Sequence, residues 1–420
     1  MGRVEPLTAL RYDLAAVGGL ERVVAPPYDV IDAERRAALL ARSPHNAVRI
    51  DLPQEGEDPY AEAAREMARW EAEGVLERDP EPAVYVLEQR YTAPGGGERA
   101  RTAFLARVRV EPYGAGRIRP HERTHPGPKE DRLRLTRATR ANLSPIFSLY
   151  GDPSGTARAA LAAVVGAPPW GEAADDDGTR NRVWRVADPA AVAALTETAA
   201  ASELLIADGH HRYETSRAYA EEIGGEGEHR YALMALVALE DPGLTVFPTH
   251  RLVSGLDAAQ QEALRDAILR DFDAEPLDDP RALEPPPAAD GAVRIGYIDA
   301  HFRRPYRLTL RDPSIADAAM PGHAEPYRRL DTAVLEALLL DRALGYSAER
   351  IDHLDGFGYA RDLDQALELI GTGAYDAAFV MGSTPVERIR EVAAAGESMP
   401  PKSTYFFPKI PTGVVFNPLV

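Results

Sequence analysis

The chain has 420 residues, so about two to three domains are expected, and it carries 48 Lys plus Arg against 66 Asp plus Glu with no cysteine. The net charge of −18 argues against a general nucleic-acid coat, and the lack of cysteine excludes disulfides, thiolate metal sites and cysteine nucleophiles. No run approaches the ~18 apolar residues of a membrane helix, and the first residues lack a leader's charged-then-apolar profile, so the expectation is a soluble cytoplasmic protein without membrane or nucleic-acid partners.

In chain order, Val23 to Ile31 reads as a short apolar strand interrupted by Pro26 and Pro27, and Asp32 as the N-cap of a helix reaching about Arg42. Tyr60 to Gly74 has a helical apolar period, with Gly74 as C-cap and Trp70 as a packing residue. Val84–Tyr91 and Arg101–Val110 are β-rich runs joined through Pro94-Gly95-Gly96-Gly97, which predicts a hairpin. Residues 151–182 predict a helix followed by a mobile loop at Asp175-Asp176-Asp177-Gly178, then come a strand at Val183–Val186, a helix near Ala190–Ala200 and a strand at Leu204–Ala207. Two further strands are expected at Tyr231–Leu239 and Val246–Val253, a helix at Asp257–Asp271 and a linker over Phe272–Ala292. Strands at Val293–Ile298 and Tyr306–Leu310, helices at Asp331–Leu344 and Leu363–Thr372, and a strand at Asp376–Met381 complete the reading. Hairpins mixed with β–α units favour α+β or mixed α/β over one doubly wound sheet. Three regions are expected: 1–150 with the hairpin and a basic loop, 151–271, and a C-terminal α/β region over 293–420.

Arg101 to Pro145 opposes the global balance, with eleven basic and four acidic residues, a net of +7 that leaves −25 on the other 375. Such a patch suits a small anionic ligand, while the alternative is a salt-bridged, solvated face. Within it, His121-Glu122-Arg123-Thr124-His125 matches the H-E-x-x-H zinc signature. That motif needs one continuous helix, and Pro120 before it with Pro126-Gly127-Pro128 after it deny one, so zinc hydrolysis is not expected. Glu122 instead lies among Arg123, Lys129 and Arg132, where a carboxylate can act as general base on a hydroxyl.

Leu204-Leu205-Ile206-Ala207 followed by Asp208-Gly209 and a helix from His210 to Gly224 reads as strand, tight turn, helix. The glycine lets backbone approach a ligand, the helix N-terminus offers N–H groups, and Arg212 adds a bidentate contact, which together suit phosphate. Asp208 is placed to hold Mg²⁺ or to accept a proton; the alternative is a plain N-cap with surface histidines. The C-terminal Pro400-Pro401-Lys402-Ser403-Thr404-Tyr405-Phe406-Phe407-Pro408-Lys409 puts lysines and hydroxyls on a proline-stiffened strand that either closes over a ligand or tucks into a sheet.

Asp208-Gly209-His210-His211-Arg212 resembles the D-G-H-H-R signature of the ParB/sulfiredoxin-like superfamily, which includes the partition proteins' nucleotide-binding domain, sulfiredoxins and a free-serine kinase. Over nearly its whole length the chain resembles the family called domain of unknown function 1015. The segments that carry this include Pro26-Pro27-Tyr28-Asp29-Val30-Ile31, Arg119-Pro120-His121-Glu122-Arg123-Thr124, Gly127-Pro128-Lys129-Glu130-Asp131-Arg132-Leu133, Asn142-Leu143-Ser144-Pro145-Ile146-Phe147 and Phe247-Pro248-Thr249-His250-Arg251. The resemblance implies a ParB/sulfiredoxin-like core elaborated with hairpins and helices. It also implies phosphate held by Gly209, His210, His211 and Arg212, with Asp208 on the metal or catalytic side and Mg²⁺ as cofactor. Sulfiredoxin chemistry needs a cysteine, which this chain lacks.

The expected function is a small-molecule phosphotransferase, foremost a free L-serine kinase using ADP, ATP or pyrophosphate. Its partners would be a small phosphorylated donor and a small hydroxyl-bearing metabolite. A ParB-like nucleotide-binding regulatory protein, and a phosphatase or nucleoside triphosphatase, stay open. The candidate catalytic residues are Asp208, Glu122 and His211, with Asp29 as a second choice of base. Gly209, His210, Arg212, Arg123, Lys129 and Arg132 are candidates for phosphate, and Asp29, Thr249, His250, Arg251, Lys402 and Ser403 for substrate.

Overall fold

The computed structural model describes residues 3–93, 96–114, 116–122, 126–286 and 291–420, with the backbone alone at 126–128, 348 and 352. It falls into two units, Met1–Thr245 with Pro408–Val420, and Val246–Phe407. The fold is mixed α/β, with several sheets.

The first unit is built on a nine-stranded sheet. Its strands are Val4–Glu5 (β1), Val84–Thr92 (β2), Glu98–Arg109 (β3), Ile118–Arg119 (β4), Ile146–Tyr150 (β5), Gly171–Ala174 (β6), Arg180–Val186 (β7), Leu204–Asp208 (β8) and Tyr231–Ala238 (β9). They run in the order β4-β8-β5-β9-β3-β2-β7-β6, with β1 beside β3. The β4–β8 and β5–β9 pairs are parallel and the rest antiparallel. Successive residues of a strand face opposite sides. On β3, Phe104, Ala106 and Val108 enter one core with Ile146 and Leu236, against which Ala160, Val164, Val192 and Ala200 of helices Thr156–Val165 and Pro189–Ala201 pack. The alternate residues Arg101, Ala103 and Leu105 are buried as well. A strand buried on both faces that still carries an arginine marks a place where another segment supplies partners.

Part of that cover is the returning C-terminus. Ala25 and Thr412 exchange backbone hydrogen bonds of 3.0 and 2.8 Å, and so do Leu10 and Phe416, at the same two lengths. Phe416 is fully buried, edge-on to Tyr12 at 5.7 Å. Asp32 caps helix Ala33–Arg42 through Arg35 N–H at 2.8 Å, and helix Pro59–Ala72 buries Trp70 completely.

The second unit holds a six-stranded, wholly antiparallel sheet. Its strands are His250–Val253 (β10), Phe272–Pro276 (β11), Arg294–Asp299 (β12), Tyr306–Leu310 (β13), Phe357–Ala360 (β14) and Ala377–Val380 (β15), in the order β11-β13-β12-β15-β10-β14. Among the described residues no helix is long and apolar enough to cross a membrane.

Several expectations need correction. Val23 to Ile31 is no strand: prolines cannot donate to a ladder, so the segment makes one bridge at Ala25 and a 3₁₀ turn at Tyr28–Val30. The expected loop after residue 166 contains β6 and β7, a hairpin closed across Asp175–Thr179, where Asp175 N–H meets the Thr179 carbonyl at 2.8 Å. Phe272 to Ala292 is not simply a linker, because Phe272–Pro276 pairs with Tyr306–Leu310 and buries Phe272. The helix at Asp331 turns from α to π form at Leu335–Asp341. The two units cut across the three regions drawn along the chain, since strands from 1–150 and 151–271 share one ladder and the last residues rejoin them.

Removing the fully buried Phe416 ring leaves a cavity in the packing of this unit. Phe416→Ala is expected to destabilise it by about 3–5 kcal/mol in denaturant unfolding, and a loss below about 1 kcal/mol would show that the returning terminus is not part of the core.

Candidate functional site

Strand β8 ends at Asp208, which pairs with Phe147 of β5 just after an irregularity at Ile206. Gly209 follows in the left-handed region at φ 92°, and helix His210–Ile223 (α1) begins at once. A Cβ at Gly209 would stand 2.9 Å from the Arg212 guanidinium, so glycine is required by both conformation and space. Glycine has no capping side chain, which leaves the first-turn N–H groups of α1 to other partners.

Asp208 is pinned from two sides. Arg212 Nη2 donates to Oδ2 at 2.7 Å, and Lys409 Nζ donates to Oδ1. Burial pushes this carboxyl up, but Lys409 and Arg212 outweigh it and hold the pKa at about 2. Arg212 also donates to the Pro145 carbonyl, while its Nε is buried without a hydrogen-bond partner among the described residues.

Lys409 is held by its backbone. Gln89 Nε2 donates to the Lys409 carbonyl at 3.0 Å and to Asn181 Oδ1 at 2.9 Å. Arg101 Nη2 donates to the Gln89 side-chain carbonyl and to the Pro408 carbonyl, and its guanidinium lies over Phe147 at 4.6 Å. Fully buried, Arg101 has its pKa lowered to about 10 by desolvation. Two residues of adjacent strands thus grip consecutive carbonyls and aim one lysine at Asp208.

The Pro26-Pro27-Tyr28-Asp29 turn joins the same electrostatic group. Asp29 still meets solvent, yet enough protein surrounds its carboxyl to raise the pKa, and the Asp208 charge raises it further against Arg212 and Lys409. Arg132 lies over the Tyr28 ring at 4.2 Å and donates to Asp51 and Asp131. Here the guanidinium braces the Tyr28 turn. Asp51 also accepts from Ser144 at 3.2 Å, and Ser144 shares a hydrogen bond with Thr412 of the returning C-terminal segment.

His121 and His210 form a buried pair with ring centres 4.7 Å apart. His210 Nε2 accepts from the His121 backbone N–H at 3.3 Å, and His121 Nδ1 meets the Ile206 carbonyl at 2.6 Å, which makes Nδ1 a donor. Burial lowers His121 to about 4 and His210 well below its usual range, so both rings are neutral at pH 7. His211 and Glu122 are half-buried, each directly beside one of these histidines. Lys129, on the helix Pro126–Thr139, faces Glu214 of α1 at 3.3 Å. Arg123 and His125 lie outside the described residues. His121 and Glu122 precede the helix, which begins only at Pro126, so that part of the zinc motif is not helical.

The +7 segment is not an open cationic patch. Arg107 pairs with Glu5 and Glu228, Arg109 with Glu226, Arg119 with Glu203 and Arg137 with Glu222, while Arg101 is buried. The acidic body neutralises most of it locally, and the cations that matter are few.

Thr249, His250, Arg251, Lys402 and Ser403 belong to the second unit. There Arg251 donates to the Thr249 and Pro401 carbonyls at 2.5 and 3.1 Å, Lys402 Nζ lies 4.6 Å over the Tyr359 ring, and Ser403 donates to the Pro400 carbonyl at 2.6 Å. These contacts tie the loop around Pro401–Lys402 to strands β10 and β14 or close a turn. As for Mg²⁺, both Asp208 oxygens carry a cationic donor, and among the described residues no group of three or more His, Asp or Glu gathers. As arranged, these residues do not fit a protein-held Mg²⁺.

Gln89, Arg101 and Thr412 carry no sequence signal as site residues, and Lys409 stands out only as one lysine of the C-terminal stretch.

The chain belongs to the family described as "Protein of unknown function (DUF1015)", whose model matches residues 4–333. No curated protein matches it. Among solved structures, a conserved hypothetical protein from Pyrococcus furiosus is 15% identical over 70% of this chain and 90% of its own, with a TM-score of 0.35. A free serine kinase in complex with AMP is 14% identical over 69% of this chain and 83% of its own, at 0.35. SbnI from Staphylococcus aureus, truncated at its C-terminus, is 13% identical over 75% and 87%, at 0.38.

Lys409→Met is expected to raise the Asp208 pKa from about 2 toward or past the ordinary carboxylate value, followed by carboxyl-carbon NMR; an unchanged value would mean that Lys409 does not hold this charge. For His121 the folded pKa of about 4 lies below the unfolded value near 6.5, so its contribution is complete above that value and is lost as pH falls toward 4. Unfolding free energy should therefore fall by up to about 3 kcal/mol across that window, and His121→Gln should flatten the slope in denaturant titrations at each pH.

Proposed function

We propose that this DUF1015 protein is a small-molecule phosphotransferase, foremost a free L-serine kinase supplied by ADP, ATP or pyrophosphate, with a ParB/sulfiredoxin-like core around the Asp208–Arg212 turn. The observation that carries the reading is Asp208 pinned between Arg212 and Lys409 at the uncapped start of α1. Arg212 and Lys409 bring two cations to the place where the helix N-terminus already favours an anion. Phosphoryl transfer asks a protein chiefly for positioning and charge stabilisation, which such a cluster supplies.

In this reading the acceptor hydroxyl oxygen attacks the terminal phosphorus, and its proton passes to a carboxylate. The P–O bond to the donor breaks, and its electron pair leaves with the donor. Asp29 suits the proton better than Glu122, because its raised pKa contrasts with Asp208 held near 2, and such a split separates a proton acceptor from a permanent charge. Asp208 stays ionised and keeps Lys409 and Arg212 aimed at the phosphate. The neutral His121–His210 pair offers fixed donors and acceptors without adding charge.

The test is incubation of the full chain with L-serine and each donor in turn, with magnesium salt present, and phosphorus NMR of the products. Phosphoserine is expected, absent with Arg212→Ala and formed at least about 100-fold more slowly with Asp29→Asn. No phosphorylated product with any donor would overturn the reading.

A further inference from the structure

The second unit holds a cavity of about 540 Å³ between the helix Ala258–Asp271 (α2) and one end of the antiparallel sheet. Its walls are apolar. Leu264 and Ile268, buried on the inner face of α2, line one side, and Tyr297 of β12 and Leu308 of β13 line the other. Between them the lining is small: Ala258 on the helix and Ala274, Ala300 and Ala377 on the sheet side carry one methyl each, too short to fill the gap.

Two properties separate this space from a gap in packing. Size is the first: mostly apolar clefts of ~300–1,000 Å³ with a few polar groups are those of small-molecule sites, whereas packing voids seldom exceed one water. The rim is the second. Six large hydrophobic side chains are exposed among the described residues, and two of them, Phe302 at 76% and Leu269 at 57%, border this cavity.

The polar groups give the space a sign. Asp299 and Asp376 line it at neighbouring strand ends, since Asp299 pairs with Ala377 across β12 and β15. Asp299 Oδ1 accepts from the Phe302 N–H at 2.6 Å and Asp376 Oδ2 from the Leu256 N–H at 2.8 Å, so backbone fixes both carboxylates. Neither has an ion-pair partner among the described residues. Arg265, the guanidinium of the lining, is exposed and pairs with Asp266 at 3.1 Å and Glu262 at 3.4 Å on its own helix, and the His301 ring lies edge-on to Phe302. Two fixed carboxylates at the end of an apolar, aromatic cavity complement a cation that carries an apolar body.

We propose that this cavity binds a small molecule with an apolar body and one protonated amine. The body lies among Leu264, Ile268 and Leu308, and the ammonium donates to Asp299 and Asp376. Tyr297 and Tyr306, opposite each other in register, put aromatic rings in the same lining. The site rests on nothing assumed about Asp208.

Equilibrium dialysis of the full chain against tryptamine tests this, beside tryptophol and indole-3-propionate, which carry a hydroxyl or a carboxylate on the same indole and two-carbon arm. Saturable tryptamine binding is expected, at least about tenfold tighter than tryptophol, with indole-3-propionate weakest. Asp299→Asn and Asp376→Asn keep an acceptor for the backbone N–H and remove the charge. Each is expected to weaken tryptamine at least about tenfold and to leave tryptophol within about twofold, a selectivity that a disturbed fold would not produce. No saturable tryptamine binding, equal affinity for the three probes, or unchanged tryptamine binding in either aspartate variant would overturn the proposal. So would a dimer in sedimentation velocity that Phe302→Ser dissolves, because the groove would then belong to a second copy of the chain.

Discussion

One half-buried carboxylate organises the first unit. Asp208 sits where a strand ends and a helix begins, and a charge in that position is several kcal/mol too costly unless it is paired with good geometry. Arg212, one turn along the helix, supplies one partner, and Lys409, 201 positions away in sequence, supplies the other. The second requirement dictates much else: the chain must leave for the second unit and come back, and something must hold the returning strand in register. Gln89 and Arg101 do so through the carbonyls of residues 408 and 409, and Thr412 and Phe416 continue the seam onto Ala25 and Leu10. The Pro-Pro-Tyr-Asp turn follows directly from Ala25, so the same seam brings Asp29 within reach of Asp208's charge.

This arrangement sharpens the electrostatic contrast between the acidic body and its cations. A sequence average of −18 and a segment of +7 are both coarse descriptions, because Arg107, Arg109, Arg119 and Arg137 of that segment pair with glutamates from elsewhere in the chain. What remains available to an anion is set by geometry: Arg212 and Lys409 on Asp208, and a helix start whose N-cap, Gly209, has no side chain.

Local features are legible in the order of residues itself. The strand–Asp-Gly–helix turn follows from four apolar residues, a glycine and a helical run, all within one window, and its bounds agree with Leu204–Asp208 and His210–Ile223. The hairpin of residues 84–109 and the Asp32 cap are equally readable, because propensity and capping act over a few residues. The Lys409–Asp208 pair is not, since nothing local relates residues so far apart. Arg101 reads as part of a surface patch, although it is fully buried and stacked on Phe147. Arg132 reads as a phosphate ligand for the same reason, while its charge is consumed by Asp51 and Asp131. Sequence supplies the sign of a charge but not the partner that cancels it.

The central claim is that Lys409 and Arg212, locked on Asp208, form the phosphate-binding element. Equilibrium dialysis of ADP against the full chain and against Lys409→Met tests it most directly. Saturable binding to the wild type, weakened at least about tenfold in the variant while its fold is retained by circular dichroism, is the expected result. Equal binding by the two proteins, or none by the wild type, would contradict it.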